Sequence, residues 1–553
     1  MLNEQVSRIA MIGLGPRGLG ALEALATHSA AKEIKFNVDV FDPYPAPGAG
    51  PNFDPEDSPL CLLNIPMRDI QLRPPKGSGI SGFADWVAPP IPNDAFPPRP
   101  QLGAYLQARL EALLAQQSGQ SGQNLTLTHL PASVDQLRQD EGHWHLLSGG
   151  IWHGPYAEIL MVPGQPKTQP DDQLGDWQTH AKHSRATLAG AYPADKLQAS
   201  AKHWAGQTVA IRGFALSSFD VIRVLTTGLG GTFGPDGYSP SGQEPKCILP
   251  FSLDGKPPYP KPETEALDHR FQPTADETNA FAKAIAKAAS APAPQAQEIV
   301  CDALLPVIER ILNQSGARSD PKQIFNWLQS EWSDPGSQEN TSPREVLEEG
   351  IALAQGDCPA TIGYVVGQVW RKWQDPLRQG YNPTDTEPKT AAALLGFDEG
   401  LKRYSYGPPV SSCQEVLSLI SAGIVSLDHA TDPDIDLTSD GWKLSTDQGS
   451  MVSEIMIDAV LPSPDPEQVR APLIEQLIQD GWLTLLGKGL STRTTPDGTL
   501  ITSADRPAPG LCLLGRLALG SVIAADSLHD CFGQAAARWA EGVVGRHTAQ
   551  PDG

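Results

Sequence analysis

The chain has 553 residues, too many for one ordinary hydrophobic core, so two or three lobes around a shared cleft are expected. Its 41 Lys and Arg stand against 64 Asp and Glu, a formal charge of -23 that repels polyanions and argues against nucleic acid as a partner. No apolar run approaches the ~20 residues needed to span a bilayer, and the seven cysteines are scattered without a CxxC pair, which removes support for a zinc site or a redox dithiol.

Residues 8–12 (RIAMI) read as a short buried strand, and residues 19–26, rich in Ala, Leu and Glu, read as a helix. Between them runs Gly13-Leu14-Gly15-Pro16-Arg17-Gly18. A strand, tight turn and helix of this kind need Gly13 for its backbone angles, Gly15 for close approach to a pyrophosphate, and Gly18 for helix-strand packing. The helix start points unpaired N–H groups at the phosphate, and Pro16 sits where a missing N–H does no harm. Residues 36–42 form a second strand ending in Asp42, at the spacing where a carboxylate takes ribose hydroxyls and repels a 2′-phosphate. An adenine dinucleotide site follows, suited to FAD or NAD rather than NADP.

A plain NAD dehydrogenase would now enter another helix. Here the loop 43–51 (PYPAPGAGP) departs from the ribose site, and its Gly48 and Gly50 are expected to lie towards a flavin ring; an ordinary surface loop is the alternative. A proline-broken stretch leads to a helix from Arg99 to about Gln116. Residues 124–147 alternate apolar and polar side chains, which suggests strands of an antiparallel crossover, with His143 and His145 on one face in a structural role. Residues 159–166 (ILMVPGQP) form a strand ending at Gly164, where the first domain hands over to the next.

Residues 208–222 repeat the strand, turn and helix with a degraded code, Gly-x-Ala-x-x-Ser, from Gly213 to Ser218. Arg212 is a candidate partner for a phosphate or carboxylate, and Ser217 and Ser218 could donate to an anion at the helix start. Residues 262–400 change to helical spacing, with 291–297 (APAPQAQ) as a linker and Trp327, Trp332, Trp370 and Trp373 as core. A helix at 414–422, a hairpin signal at Ser439-Asp440-Gly441, and a returning parallel strand at 456–461 follow. The chain closes with a buried strand and glycine, 510–516 (GLCLLGR), then a helix over 534–543.

The fold class is therefore α/β: two dinucleotide-binding, Rossmann-like domains of the flavoprotein type with a helical insertion. The expected division is 1–166 for the first part of the FAD domain, 167–261 for the first part of an NAD(P)H-like domain, 262–400 for the insertion, 401–461 for the return strands of the second domain, and 462–553 for the return of the first.

The stretches IGLGPRG, FDPYPAPGAG, RGFALSSFDVIRVLT and PSGQEP together resemble the FAD/NAD(P)-binding proteins that begin with a GxGPRG motif and, more loosely, the flavin monooxygenases that hydroxylate amines. The resemblance implies FAD, a reduced nicotinamide donor (NADPH or NADH), molecular oxygen and a small amine or amino acid such as aspartate, oxidised through a flavin C4a-hydroperoxide. It places Gly13, Gly15, Pro16, Arg17 and Gly18 at the FAD pyrophosphate, Asp42 on the ribose, Gly48, Gly50 and Asn64 near the ring, Gly164 at the crossover and Gly515 at the returning half. Gly515-Arg516 departs from the Gly-Asp that many flavoproteins use. A cationic clamp for an anionic substrate would come from Arg68, Arg73, Arg99 or Arg212. An oxidoreductase that inserts no oxygen, and a flavin-binding regulatory protein, are the alternatives. A cytoplasmic protein without metal or membrane partner, with a homo-oligomer open, completes the expectation.

Overall fold

The computed structural model describes residues 6–118, 124–317, 320–338 and 341–548. Its first sheet has six strands in the order Thr499–Ile501, Pro507–Leu513, Glu158–Met161, Ser7–Ile12, Phe36–Phe41 and Leu125–Leu130. All neighbours are parallel except the Thr499–Ile501 edge. Ile9, Ala10 and Met11 are fully buried, as a strand covered on both faces requires. On one face lie helices Pro16–Lys32, Arg99–Ser118 and Gln534–Thr548, packed through Leu19, Leu22, Leu106 and Trp539. On the other lie a three-stranded antiparallel sheet over residues 134–156 and helix Pro472–Gln479.

Residues 125–130 are not part of the antiparallel crossover. They pair in parallel with Phe36–Phe41 as the outer strand of the main sheet. An edge strand with one solvated face alternates in the same way as a crossover strand, and that alternation misled the reading.

The second sheet is also parallel, in the order Cys247–Phe251, Thr208–Arg212, Ile455–Asp458 and Thr187–Gly190. An antiparallel meander, Asp434–Thr438, Gly441–Thr446 and Gly449–Ser453, precedes the return of the chain to this sheet. Two parallel sheets, each split by a long excursion, match the two-dinucleotide-domain flavoprotein class.

Between the second sheet and its meander the chain forms a helical body with its own core, centred on Phe281 stacked on Trp373 at 4.1 Å, with Trp370 fully buried. Residues 291–297 are not a linker: helix Ala293–Gln314 begins there, with proline in its first turn, where a lacking N–H does no harm. Asp398 is 2 % exposed in this core and accepts from Trp370 Nε1 at 2.7 Å. Burial pushes its carboxyl up to about 6 from 3.8. A carboxyl raised in this way adds stability below its ordinary value and loses that contribution as pH rises through about 6. Asp398→Asn, which keeps the acceptor for Trp370, is expected to stabilise the protein at mildly alkaline pH by about 2–3 kcal/mol. Thermal denaturation of both proteins across this range checks it, and equal stability on the alkaline side would refute it. Among the described residues no helix is long and apolar enough to cross a membrane.

Candidate functional site: two dinucleotide cradles and a junction cavity

Three glycines of the opening turn do three different things. Gly13 has φ +102, and a Cβ there would lie 2.3 Å from the Val162 carbonyl oxygen. A Cβ on Gly18 would lie 2.6 Å from the Gly13 carbonyl oxygen, so the helix can cross the strand only without one. Gly15 differs: its Cβ would meet nothing nearer than Gly50 Cα at 3.9 Å, so open space lies above that backbone. Helix Pro16–Lys32 starts there with no side-chain cap, whereas Asp171, Thr264 and Thr274 cap other helices. Uncapped N–H groups beside open space fit a pyrophosphate.

Asp42 is buried, with one oxygen accepting from Leu14 N at 2.5 Å and the other from Tyr44 N at 2.8 Å. It bolts the glycine turn to the second strand, and each carboxylate oxygen retains a lone pair for a ribose hydroxyl. The Pro/Gly loop folds back on the same turn: Gly48 N donates to Leu14 O at 2.6 Å, and a Cβ on Gly50, at φ +65, would lie 3.3 Å from Gly15 Cα. Gly48 and Gly50 therefore sit against the glycine turn at Leu14 and Gly15. Pro16 occupies the first helical turn.

Arg17 does not project freely to a pyrophosphate. It donates to Asp530 Oδ2 at 2.8 Å and to Ala525 O at 2.5 Å, because the returning chain brings a buried acid alongside it. A Cβ on Gly515, at φ +104, would lie 2.9 Å from Arg17 Nε. Arg17 and Gly515 line a small recess with Thr494, Leu514 and Arg538. Arg516, in the place of the more usual acid, bonds Gln165 and the Pro462 carbonyl, and so ties together the two crossovers between domains. Gly164, at φ +66, lies in the first of these with no heavy atom within 4 Å of its would-be Cβ.

The second unit reproduces the first in backbone detail. Gly213, at φ +100, donates to Phe251 O at 2.8 Å as Gly13 donates to Phe41 O at 2.9 Å, and Ala459 N bonds Arg212 O as Val162 N bonds Ile12 O. Helix Leu216–Leu225 likewise starts without a side-chain cap. Ser218 is not available to an anion: fully buried, its hydroxyl donates to Gly213 O, which is how a serine replaces the third glycine. Ser217 is half-buried in the first turn of that helix. Arg212 is neither a free phosphate ligand nor a solvated rim residue, since Asp171 (2.6 Å) and Asp458 (3.3 Å) both bind it. The place of Asp42 is taken by Ser252, the residue after the paired strand, which donates to Asp254.

A second small cavity lies where helix Arg99–Ser118 meets helix Leu216–Leu225. Leu62, Asn64 and Arg99 reach it from the first domain, Asp220 and Arg223 from helix Leu216–Leu225, and Ser412 from helix Val410–Ser421. Arg99 bonds Asp220 at 2.5 Å and Leu62 O at 3.1 Å, and the Tyr192 hydroxyl donates to the same Asp220 oxygen at 2.6 Å. Burial pushes the Asp220 carboxyl up, against the opposing pull of Arg99 and Tyr192. Arg223 is held by Glu415 and Ser412. Of the four arginines expected at a substrate clamp, only Arg99 lines this cavity. Arg68 pairs with Asp94 in a seam nearby, Arg73 is exposed, and Arg212 stands at the second strand end. Asp220 and Arg223 escaped the sequence reading, although an acid and a base three apart in the apolar run FDVIRVL are the signal that marks them.

The region around the first cradle, residues 10–165, matches the family model described as FAD-NAD(P)-binding. Those residues form an FAD-NAD(P)-binding domain. Around that domain the likeness extends through most of the chain. A nitrosuccinic acid synthase of Aspergillus oryzae is 25% identical over 544 residues, covering 86% of this chain and 81% of its own. A nitrosuccinate-forming L-aspartate N-monooxygenase of Streptomyces davaonensis is 25% identical over 609 residues, covering 91% and 90%. Among solved structures, the reduced ornithine hydroxylase of Pseudomonas aeruginosa shares the fold at a TM-score of 0.51 and 12% identity, covering 98% of this chain and all of that one.

Proposed function

We propose that this chain is an FAD-dependent monooxygenase that uses a reduced nicotinamide dinucleotide to hydroxylate the amine nitrogen of a small anionic amino acid, with L-aspartate the first candidate. The observation that carries the reading is the repeated cradle: two uncapped helix starts behind equivalent glycines, Gly13 and Gly213, each donating the same backbone bond to the last residue of its neighbouring strand. The aspartate N-monooxygenase relatives, matched over most of the chain, support the choice of substrate.

In this reading the open space at Gly15 takes the FAD pyrophosphate, Asp42 the adenosine ribose, and Gly48, Gly50 and Gly515 the flanks of the cofactor. Gly213 and the start of its helix take the nicotinamide donor. Ser252 opposes no carboxylate to a 2′-phosphate, and nearby Asp254 is already held by Arg403, which favours NADPH. Bound flavin supplies the oxygen activation. One turnover consumes one dioxygen and one NADPH with a proton, places one oxygen on the amine nitrogen as hydroxyl and releases the other as water. The protein's part is to orient the substrate, keep its amine unprotonated and exclude bulk water.

The purified protein is expected to carry flavin absorbance and to consume NADPH faster when L-aspartate is added, with label from isotopic dioxygen entering an N-hydroxylated product. Absence of substrate-stimulated consumption across amino acids and diamines would sink the reading. Stimulation without label in the product would leave an oxidoreductase that inserts no oxygen.

A further inference from the structure

Behind the wall of the junction cavity lies a buried lysine with no carboxylate of its own. Lys261 is 5 % exposed, and its ammonium donates to Asn64 O at 2.5 Å and Gly407 O at 2.9 Å. Asn64 itself lines the cavity, and so does Pro408, the neighbour of Gly407. Lys261 forms no ion pair among the described residues. Two acceptors satisfy two of the three N–H bonds of an ammonium.

Other cations gather around it from separate segments. Arg68, its side chain 5% exposed, donates to Asp94 and to the carbonyl of Pro262, next to Lys261, while its buried Nε has no partner. Arg371 and Lys372, at the end of helix Ile362–Lys372, hold Asp268, and Arg371 also holds Asp69. Four cations, Arg68, Lys261, Arg371 and Lys372, thus face three acids, Asp69, Asp94 and Asp268. Asp69 and Asp268 are engaged by the Arg371-Lys372 pair and Asp94 by Arg68, so the one unmatched charge is that of Lys261, while Arg68 Nε is an unfilled donor.

A buried cation without a counter-ion is strongly unfavourable, and a carboxylate that accepted from both groups would relieve it. Burial, aided by the guanidinium of Arg371 and only partly offset by the carboxylates of Asp69 and Asp268, pushes the Lys261 ammonium down to about 7, and an anion in direct contact would restore its charge. A lysine serving only to staple two backbone carbonyls gains nothing from the second unpartnered cationic donor alongside.

We infer that Lys261 and Arg68 form an anion subsite that holds one carboxylate of the substrate at the seam between the FAD-NAD(P)-binding domain and the helical insertion. The inference rests on the proposed function in one respect, that the substrate is an anionic amino acid. It makes a dicarboxylate such as aspartate a better ligand than a monocarboxylate or a diamine.

The test uses the full-length, flavin-loaded protein with two probes: L-aspartate turnover, and the thermal shift given by succinate, a dicarboxylate with no amine to oxidise. Lys261→Met is expected to raise the KM for aspartate by roughly 10- to 100-fold with a smaller change in kcat. It is also expected to abolish the succinate shift, with a wild-type circular-dichroism spectrum as the check that the variant is folded. Arg68→Gln, which can still reach the Pro262 carbonyl, is expected to act in the same direction and carries the test if Lys261→Met does not fold. Aspartate KM and succinate shift unchanged in a folded variant overturn the subsite, as does a wild-type protein that succinate does not stabilise. If aspartate stimulates nothing while succinate still stabilises wild type and not the variants, the proposed reaction fails and the subsite stands.

Discussion

Gly13→Ala is expected to yield a protein without FAD, without detectable turnover and with a clearly lowered melting temperature. The backbone there is left-handed, and a Cβ would stand 2.3 Å from a carbonyl oxygen, an atom that cannot swing aside as a side-chain tip can. Conformational strain alone costs about 1–2 kcal/mol. Relieving the contact means displacing Val162, whose N–H bonds Ile12 O in the centre of the sheet, and with it the Leu14 N–H held by Asp42. Gly15→Ala supplies the contrast. Beyond its own chain neighbours nothing lies nearer than Gly50 Cα at 3.9 Å to its would-be Cβ, so this variant is expected to fold with near wild-type stability yet bind FAD more weakly, because the methyl group takes the space proposed for the pyrophosphate. Flavin absorbance per chain and thermal denaturation read the two effects separately. A Gly15→Ala protein with unchanged FAD affinity would show that this space is not the pyrophosphate site.

The sequence makes the glycine turns legible because their physics is local: each required glycine lies within one turn of the strand or helix it serves. The same holds for the closing strand with Gly515 and for the meander turn at Ser439-Asp440-Gly441. Long-range pairing is where reading from sequence stops. Arg17 meets Asp530 and Arg212 meets Asp458 across hundreds of residues, and no periodicity in the chain announces either pair. Each of these arginines looked like a ligand for a phosphate because its counter-ion was invisible. Lys261 shows the converse, since only the fold reveals that its neighbours are backbone carbonyls and other cations. The misread helix start at Ala293 has a compositional cause, proline and alanine together, that suits a linker and a first helical turn equally well.

Breaking the buried Glu23–Arg109 pair on one side is expected to be among the most destabilising changes in the first domain. Both Arg109 bonds to the Glu23 carboxylate are 2.6 Å, the side chains are 2% and 6% exposed, and the guanidinium lies 4.2 Å from the Phe532 ring centroid. Glu23 belongs to the helix that begins at the first cradle, Arg109 to the helix that begins at the junction cavity with Arg99, and Phe532 to the returning C-terminal chain. The pair therefore fixes how the glycine turn is set relative to the cavity. Glu23→Gln or Arg109→Met alone leaves an uncompensated buried charge or a frustrated partner, and about 3–5 kcal/mol is expected for each. The double change Glu23→Leu with Arg109→Met removes both charges, and much of that loss should return, because two desolvation penalties disappear together. Denaturant unfolding of the four proteins closes the cycle. Additive losses in the double variant would mean that the helices are held by packing alone, whereas recovery of stability with weakened aspartate turnover would identify the ion pair as the element that aligns cradle and cavity.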